Sequence, residues 1–223
     1  MKFSIKILTK LLITFSIFLA MFALNSCIGA SADISIRANG SGRIALEYRV
    51  PMMLESIGRL DGNEPWPVVP VGRADFERGL ARIPGLRLRS FSSREVHAAR
   101  EGKDILTKAV LDFDNTAALL AFLDVTGSHA TLARDGGSSL LRLALLDPSP
   151  QAVNADLVSL LQETCEGYEL GISLSAPGNA SLAMFPSNVQ GARLVSQGRK
   201  VSFTIAMGEL LALNEGLVLE ISW

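Results

Sequence analysis

Residues 33–50 read DISIRANGSGRIALEYRV, and the alternation in them decides the fold. Ile34 and Ile36 alternate with polar neighbours, and Ile44, Leu46, Tyr48 and Val50 repeat the pattern beyond Asn39-Gly40-Ser41-Gly42. A period of two on both sides of a glycine-bearing turn is the mark of a hairpin. Pro51 to Leu60 then reads as a short helix opened by proline, and DGNEPWPVVPVG (61–72) as a loop, because its three prolines deny both helix and ladder. Arg73 to Ile83 is amphipathic, with Phe76, Leu80 and Ile83 on one stripe, and Pro84-Gly85 ends it.

The same order recurs downstream. Leu86 to Ala99 and Asp104 to Phe113 read as a strand pair around Glu101-Gly102, followed by a helix from Asn115 to Val125. Ala130 to Arg134 and Ser139 to Leu146 form a hairpin across Asp135-Gly136-Gly137, and Gln151 to Cys165 a further helix. Strands at Tyr168 to Ser175 and Lys200 to Ile205, a helix at Met207 to Leu213 and a strand at Leu217 to Trp223 close the chain. The pattern predicts an α+β fold: a largely antiparallel sheet of hairpins with short helices packed on one face, in one domain over 33–223.

Within this layout Val110 to Leu120, VLDFDNTAALL, resembles the first motif of the haloacid dehalogenase phosphohydrolases, in which the first Asp attacks phosphorus beside a magnesium ion. Such enzymes need a parallel sheet and, downstream, a Lys and an acidic pair for the metal. Here the motif follows a hairpin, the next Lys after it is Lys200, and no Asp follows Asp156. The metal would lack oxygen ligands. We therefore expect the strand that carries Asp112 to end at Phe113 and Asp114 to N-cap the following helix. Gly40-Ser41-Gly42 has no following Lys-Ser/Thr and is read as a turn, not a phosphate loop. No G-x-S-x-G elbow occurs.

The N-terminus carries an address. Lys2, Lys6 and Lys10 precede an acid-free apolar run from Leu11 to Leu24, the charged and apolar regions of a secretory signal. A span needs roughly 20 apolar residues, and this run ends sooner. Leu24-Asn25-Ser26-Cys27 then resembles the lipobox of bacterial lipoproteins, although Asn25 departs from the commoner small or apolar residue. The resemblance implies cleavage after Ser26 (signal peptide 1–26), a diacylglyceryl thioether on Cys27 and a short tether over 27–32. Acyl chains would hold the domain to the membrane, each buried methylene contributing about 0.8 kcal/mol. Ile28 in place of Asp favours export to an outer membrane over retention at the inner one.

Without residues 1–26 the chain keeps 18 basic against 22 acidic residues, which speaks against a nucleic-acid partner. The cysteines are Cys27 and Cys165. With Cys27 acylated, Cys165 is expected to be a buried, unpaired thiol at the end of a helix. His97 and His129 have no His or Cys at ligand spacing, so neither a metal nor another cofactor is expected.

The tail YELGISLSAPGNASLAMFPSNVQGARLVSQGRKVSFTIAMGELLALNEGLVLEISW (168–223), with its strand, Pro-Gly turn, Asn-bearing loop, Gly-led strand and closing aromatic, is similar in layout to the end of LppM-type bacterial lipoproteins. The early hairpin ANGSGRIALEYRV fits the same type. The likeness covers most of the chain as a pattern and little of it as identities. It implies a membrane-associated α+β module without catalytic residues.

We therefore expect a noncatalytic envelope module, with its domain in the periplasm or outside the cell, that binds a protein partner or an apolar or lipid ligand. Trp66, Val68 and Val69 in the proline-rich loop are its candidate contacts, and Arg87 and Arg89, on one strand face, are candidates to meet lipid phosphates. The competing class is an envelope hydrolase whose acid pair the sequence does not reveal. Convergent carboxylates in a pocket would favour the hydrolase, and an apolar lining the binder.

Overall fold

The computed structural model describes residues 28–52, 72–98, 102–124, 127–147, 158–159, 162–163 and 165–223. The expected helices at 51–60 and 151–165 and the loop at 61–72 lie largely outside these.

The first hairpin forms as the alternation requires. β1 (Gly29–Ile36) and β2 (Gly42–Pro51) pair antiparallel, with Ile34 opposite Ile44. In the turn, Asn39 Oδ1 accepts the Ser41 backbone N–H at 3.1 Å and the Ser41 hydroxyl at 2.8 Å, while Gly40 takes φ 82°. That φ favours glycine because it lacks a Cβ. Gly42 is required for a different reason. A Cβ there would lie 1.9 Å from the Ser35 carbonyl oxygen and 2.4 Å from the Phe113 ring. β1 begins at Gly29, so the strand takes in most of the segment 27–32 expected as tether.

Helix α1 (Arg73–Leu80) places Phe76 and Leu80 in the core. β3 (Leu86–His97) and β4 (Lys103–Phe113) pair antiparallel, with a bulge between Leu88 and Ser90. Helix α2 (Thr116–Leu123) follows. Its cap is Asn115, whose Oδ1 accepts the Ala118 N–H at 2.9 Å. The expectation that Asp114 caps it is thereby corrected: Asp114 turns instead to Arg87 at 2.6 Å. β5 (Ala130–Asp135), β6 (Ser138–Leu146), β7 (Glu169–Ser175), β8 (Ser181–Phe185), β9 (Arg193–Gln197), β10 (Lys200–Ala206), helix α3 (Met207–Leu211) and β11 (Leu217–Ser222) complete the order.

The strands divide into two sheets. Seven run in the order β3-β4-β2-β1-β7-β10-β9 and four in the order β5-β6-β11-β8. Every pairing among the described residues is antiparallel except β1 with β7, which is parallel. The α+β class with a hairpin-rich, largely antiparallel sheet and short helices thus holds. The inner faces share one core: Ile34, Ile44, Leu111, Leu174 and Phe203 from the larger sheet meet Leu141, Met184, Leu219 and Ile221 from the smaller. Helices α1, α2 and α3 each add residues to it, Ala118, Leu119 and Leu210 joining those of α1. Each fully buried Leu, Ile or Phe contributes about 1.5–3 kcal/mol of transfer free energy.

Candidate functional site

Strand alternation places one set of side chains of the seven-stranded sheet in the core and the other set on the opposite face. Because pairing is in register, the opposite set forms rows across the strands. One row runs Ser92, Lys108, Glu47, Ser31, Gly171, Thr204, Arg193, from β3 to β9. The next is Ser90, Val110, Ala45, Asp33, Ser173, Ser202, Val195, and the third Arg87, Asp112, Arg43, Ser35, Ser175, Lys200, Gln197. On the other side of the first row, Arg94, Leu106 and Arg49 align across β3, β4 and β2.

The small residues at the centre make this face concave. Ser31, Ala45, Gly171, Ser173 and Thr204 contribute to the walls of a shallow trough of about 740 Å³, which begins at Gly29 and is bounded by Lys108, Glu47, Arg49 and Glu169. A Cβ on Gly171 would stand 3.5 Å from that of Ser31, so the hollow depends in part on glycine. Two of the three carboxylates that border the trough are tied to cations, Glu47 to Lys108 at 2.6 Å and Asp33 to Lys200 at 3.1 Å; Glu169 is the third.

At one end the face closes under Tyr168. Its hydroxyl donates to both oxygens of Asp104, at 3.0 and 2.9 Å, and Asp104 is 1 % exposed. Burial first, and then the Asp104 carboxylate, push the Tyr168 hydroxyl up to about 12. Tyr168 also covers the start of β1, a Cβ on Gly29 falling 3.3 Å from its ring. Cys165 is buried beside Tyr168 and Met207 and is disulfide-bonded. This corrects the expectation of an unpaired thiol, while the expected burial holds. The sequence holds one other cysteine, Cys27, which lies outside the described residues, and a sulfur in a disulfide cannot also carry an acyl thioether.

At the other end lie the two arginines singled out from the sequence. The bulge turns Arg89 to the same side as Arg87, and both engage acids: Arg87 with Asp114, Arg89 with Asp112 at 3.3 Å. Arg43 reaches Asp112 from the neighbouring strand at 3.1 Å. Its hydrogen bond first, with that of Arg89, holds the Asp112 carboxyl below the usual carboxylate range against the opposing effect of burial. Both aspartates of the VLDFDNTAALL stretch are therefore held by guanidinium groups, Asp112 on the antiparallel strand β4 and Asp114 just past its end, where a helix cap was expected. Trp66, Val68 and Val69 lie outside the described residues, as does Cys27.

A second polar cluster was not legible in the sequence. Asp124, at the end of α2 and 7 % exposed, accepts the backbone N–H groups of His129 and Ala130, the latter at 3.0 Å. The His129 Nε2 lies 3.0 Å from Asp147, its Nδ1 2.9 Å from the Ser128 hydroxyl and 3.7 Å from Asp124 Oδ1. Asp147 chiefly, and Asp124 with it, raise the imidazole above its ordinary value. The trio makes a clasp between the end of α2, the start of β5 and Asp147 just past β6. Among the described residues no group of three or more His, Cys, Asp or Glu could hold a metal ion, and no helix is long and apolar enough to cross a membrane.

No protein family and no curated protein matches the chain. Among solved structures it is similar to a protein of Parabacteroides distasonis described as a candidate protease, with 11 % identity and a TM-score of 0.33, over 89 % of this chain and 40 % of that one. The chain thus spans less than half of that protein, and at this level of similarity neither fold nor activity carries across.

Proposed function

We propose that the chain is a membrane-anchored bacterial envelope lipoprotein whose domain is a noncatalytic binding or scaffold module. The observation that carries this reading is the position of the trough. It opens at Gly29, two residues beyond Cys27, so acyl chains on that cysteine would hold the hollow beside the bilayer.

Intact mass of the membrane-extracted protein tests the anchor. The expected species begins at Cys27, carries a diacylglyceryl group and alkylates once at Cys165, the thioether having taken the place of the disulfide in which Cys165 stands here. A lipid-free chain with both cysteines in one disulfide would sink the reading, as would a Cys27→Ser chain that still partitions into detergent after its first 26 residues are removed.

A further inference from the structure

We infer that the exposed face of the seven-stranded sheet is a docking surface for the anionic headgroups of the membrane; the inference rests on the anchored reading above and names the partner of that site. The charge of the chain is unevenly spread. The four rows, with Arg89 at the bulge, Asp114 paired to Arg87, and Asp104 and Glu169 at the closed end, hold eight basic and six acidic side chains, whereas the remainder from residue 28 onward holds ten basic against sixteen acidic. One of the six acids, Asp104, is buried under Tyr168 and does not reach solvent.

The excess has specific sources. Asp112 is shared by Arg43 and Arg89, leaving a unit of positive charge at one corner. Arg49, Arg94 and Arg193 add to it along the rows. A surface of one sign on a domain of the other orients the molecule in a field. Cations near an anionic leaflet each contribute about 1 kcal/mol of attraction, lost beyond a Debye length of roughly 8 Å. Distance then decides whether the face can act. Ile28 already packs against the core and β1 begins at Gly29, so chain leaving toward Cys27 has almost no slack and the face starts at the anchor point.

Lysine labelling tests this without altering the protein. The full chain is placed in lipid discs of phosphatidylcholine alone or with about one third phosphatidylglycerol; either acyl chains or the Leu11 to Leu24 segment holds it there, and intact mass reports which. Lys108 and Lys200 lie in the rows, whereas Lys103 projects to the other side of β4 and serves as the control. On anionic discs the labelling of Lys108 and Lys200 should slow by about fivefold or more relative to neutral discs, with Lys103 unchanged and the difference abolished at high salt. Arg43→Gln with Arg89→Gln should remove most of it while circular dichroism stays that of the parent. Equal labelling on both discs, or slowing of Lys103 to the same degree, overturns the docking face. A chain without acyl mass overturns the lipoprotein reading instead, so the two failures are distinct.

Discussion

Replacing Tyr168 by Phe removes one oxygen, and the structure places that oxygen at the closed end of the trough. The hydroxyl donates to both oxygens of Asp104, at 3.0 and 2.9 Å, and Asp104 is 1 % exposed. Water cannot readily take over the donation. A hydrogen bond to a charged group is worth about 1.5–3 kcal/mol, and orphaning its buried partner costs about 1–3 kcal/mol or more. We expect a loss of about 2–3 kcal/mol, or a fall in Tm of about 4–12 °C at the roughly 2–4 °C per kcal/mol of domains this size. Urea unfolding followed by far-UV circular dichroism measures it. Adding Asp104→Leu should recover part of the loss, since removing both partners is milder than removing one. A second readout is alkaline. Because the folded-state value of Tyr168 is raised from 10.0 to about 12, its neutral form contributes stability that is complete below pH 10 and disappears as the pH rises toward 12. The Phe variant should lack that part of the alkaline fall. A Tyr168→Phe protein within about 0.5 kcal/mol of the parent would refute the argument, because the penalty for a stranded buried acid is larger than that.

Three further outcomes follow from local geometry. Asn115→Ala should cost about 0.5–2 kcal/mol as a lost helix cap, and Asp114→Ala less than about 1 kcal/mol as a lost surface ion pair; chemical denaturation showing the reverse order would return the cap to Asp114. Gly42→Ala should destabilise by about 1–3 kcal/mol or more through overpacking, since its new Cβ would meet the Ser35 carbonyl and the Phe113 ring, and a melting curve matching the parent would show that the contact relaxes freely. For His129, whose folded-state value is raised mainly by Asp147, the clasp should be complete below pH 6.5 and lost as the pH rises through the higher folded-state value. An imidazole titration by NMR at or below 6.5, or an unchanged pH profile in His129→Gln, would contradict it.

The hairpins were legible because their causes are local. Ile34 and Ile36 against Ile44, Leu46 and Tyr48 fix which side of each strand faces the core, and Asn39-Gly40 supplies the turn conformation. The same holds for β5 and β6 across Gly136-Gly137, both of which have positive φ. Strand β9 escaped notice because all five of its residues are exposed, leaving no alternation to see. The exchange of Asp114 for Asn115 as cap was equally hidden: both are good capping residues one position apart, and the choice turned on Arg87 lying across the sheet to claim Asp114.

What the sequence by itself determined is the period, the face and the turn of the hairpins β1–β2, β3–β4 and β5–β6, together with the antiparallel α+β class. The tertiary structure alone decided how those hairpins divide between two sheets, the parallel union of β1 with β7, and every feature of the candidate site. The physical reason is range. Alternation and turn chemistry act over a few residues, whereas Lys200 meets Asp33 and Tyr168 meets Asp104 across separations of 167 and 64 residues. Such pairs exist only once strand register has brought distant segments side by side, and no pattern within either segment encodes its partner.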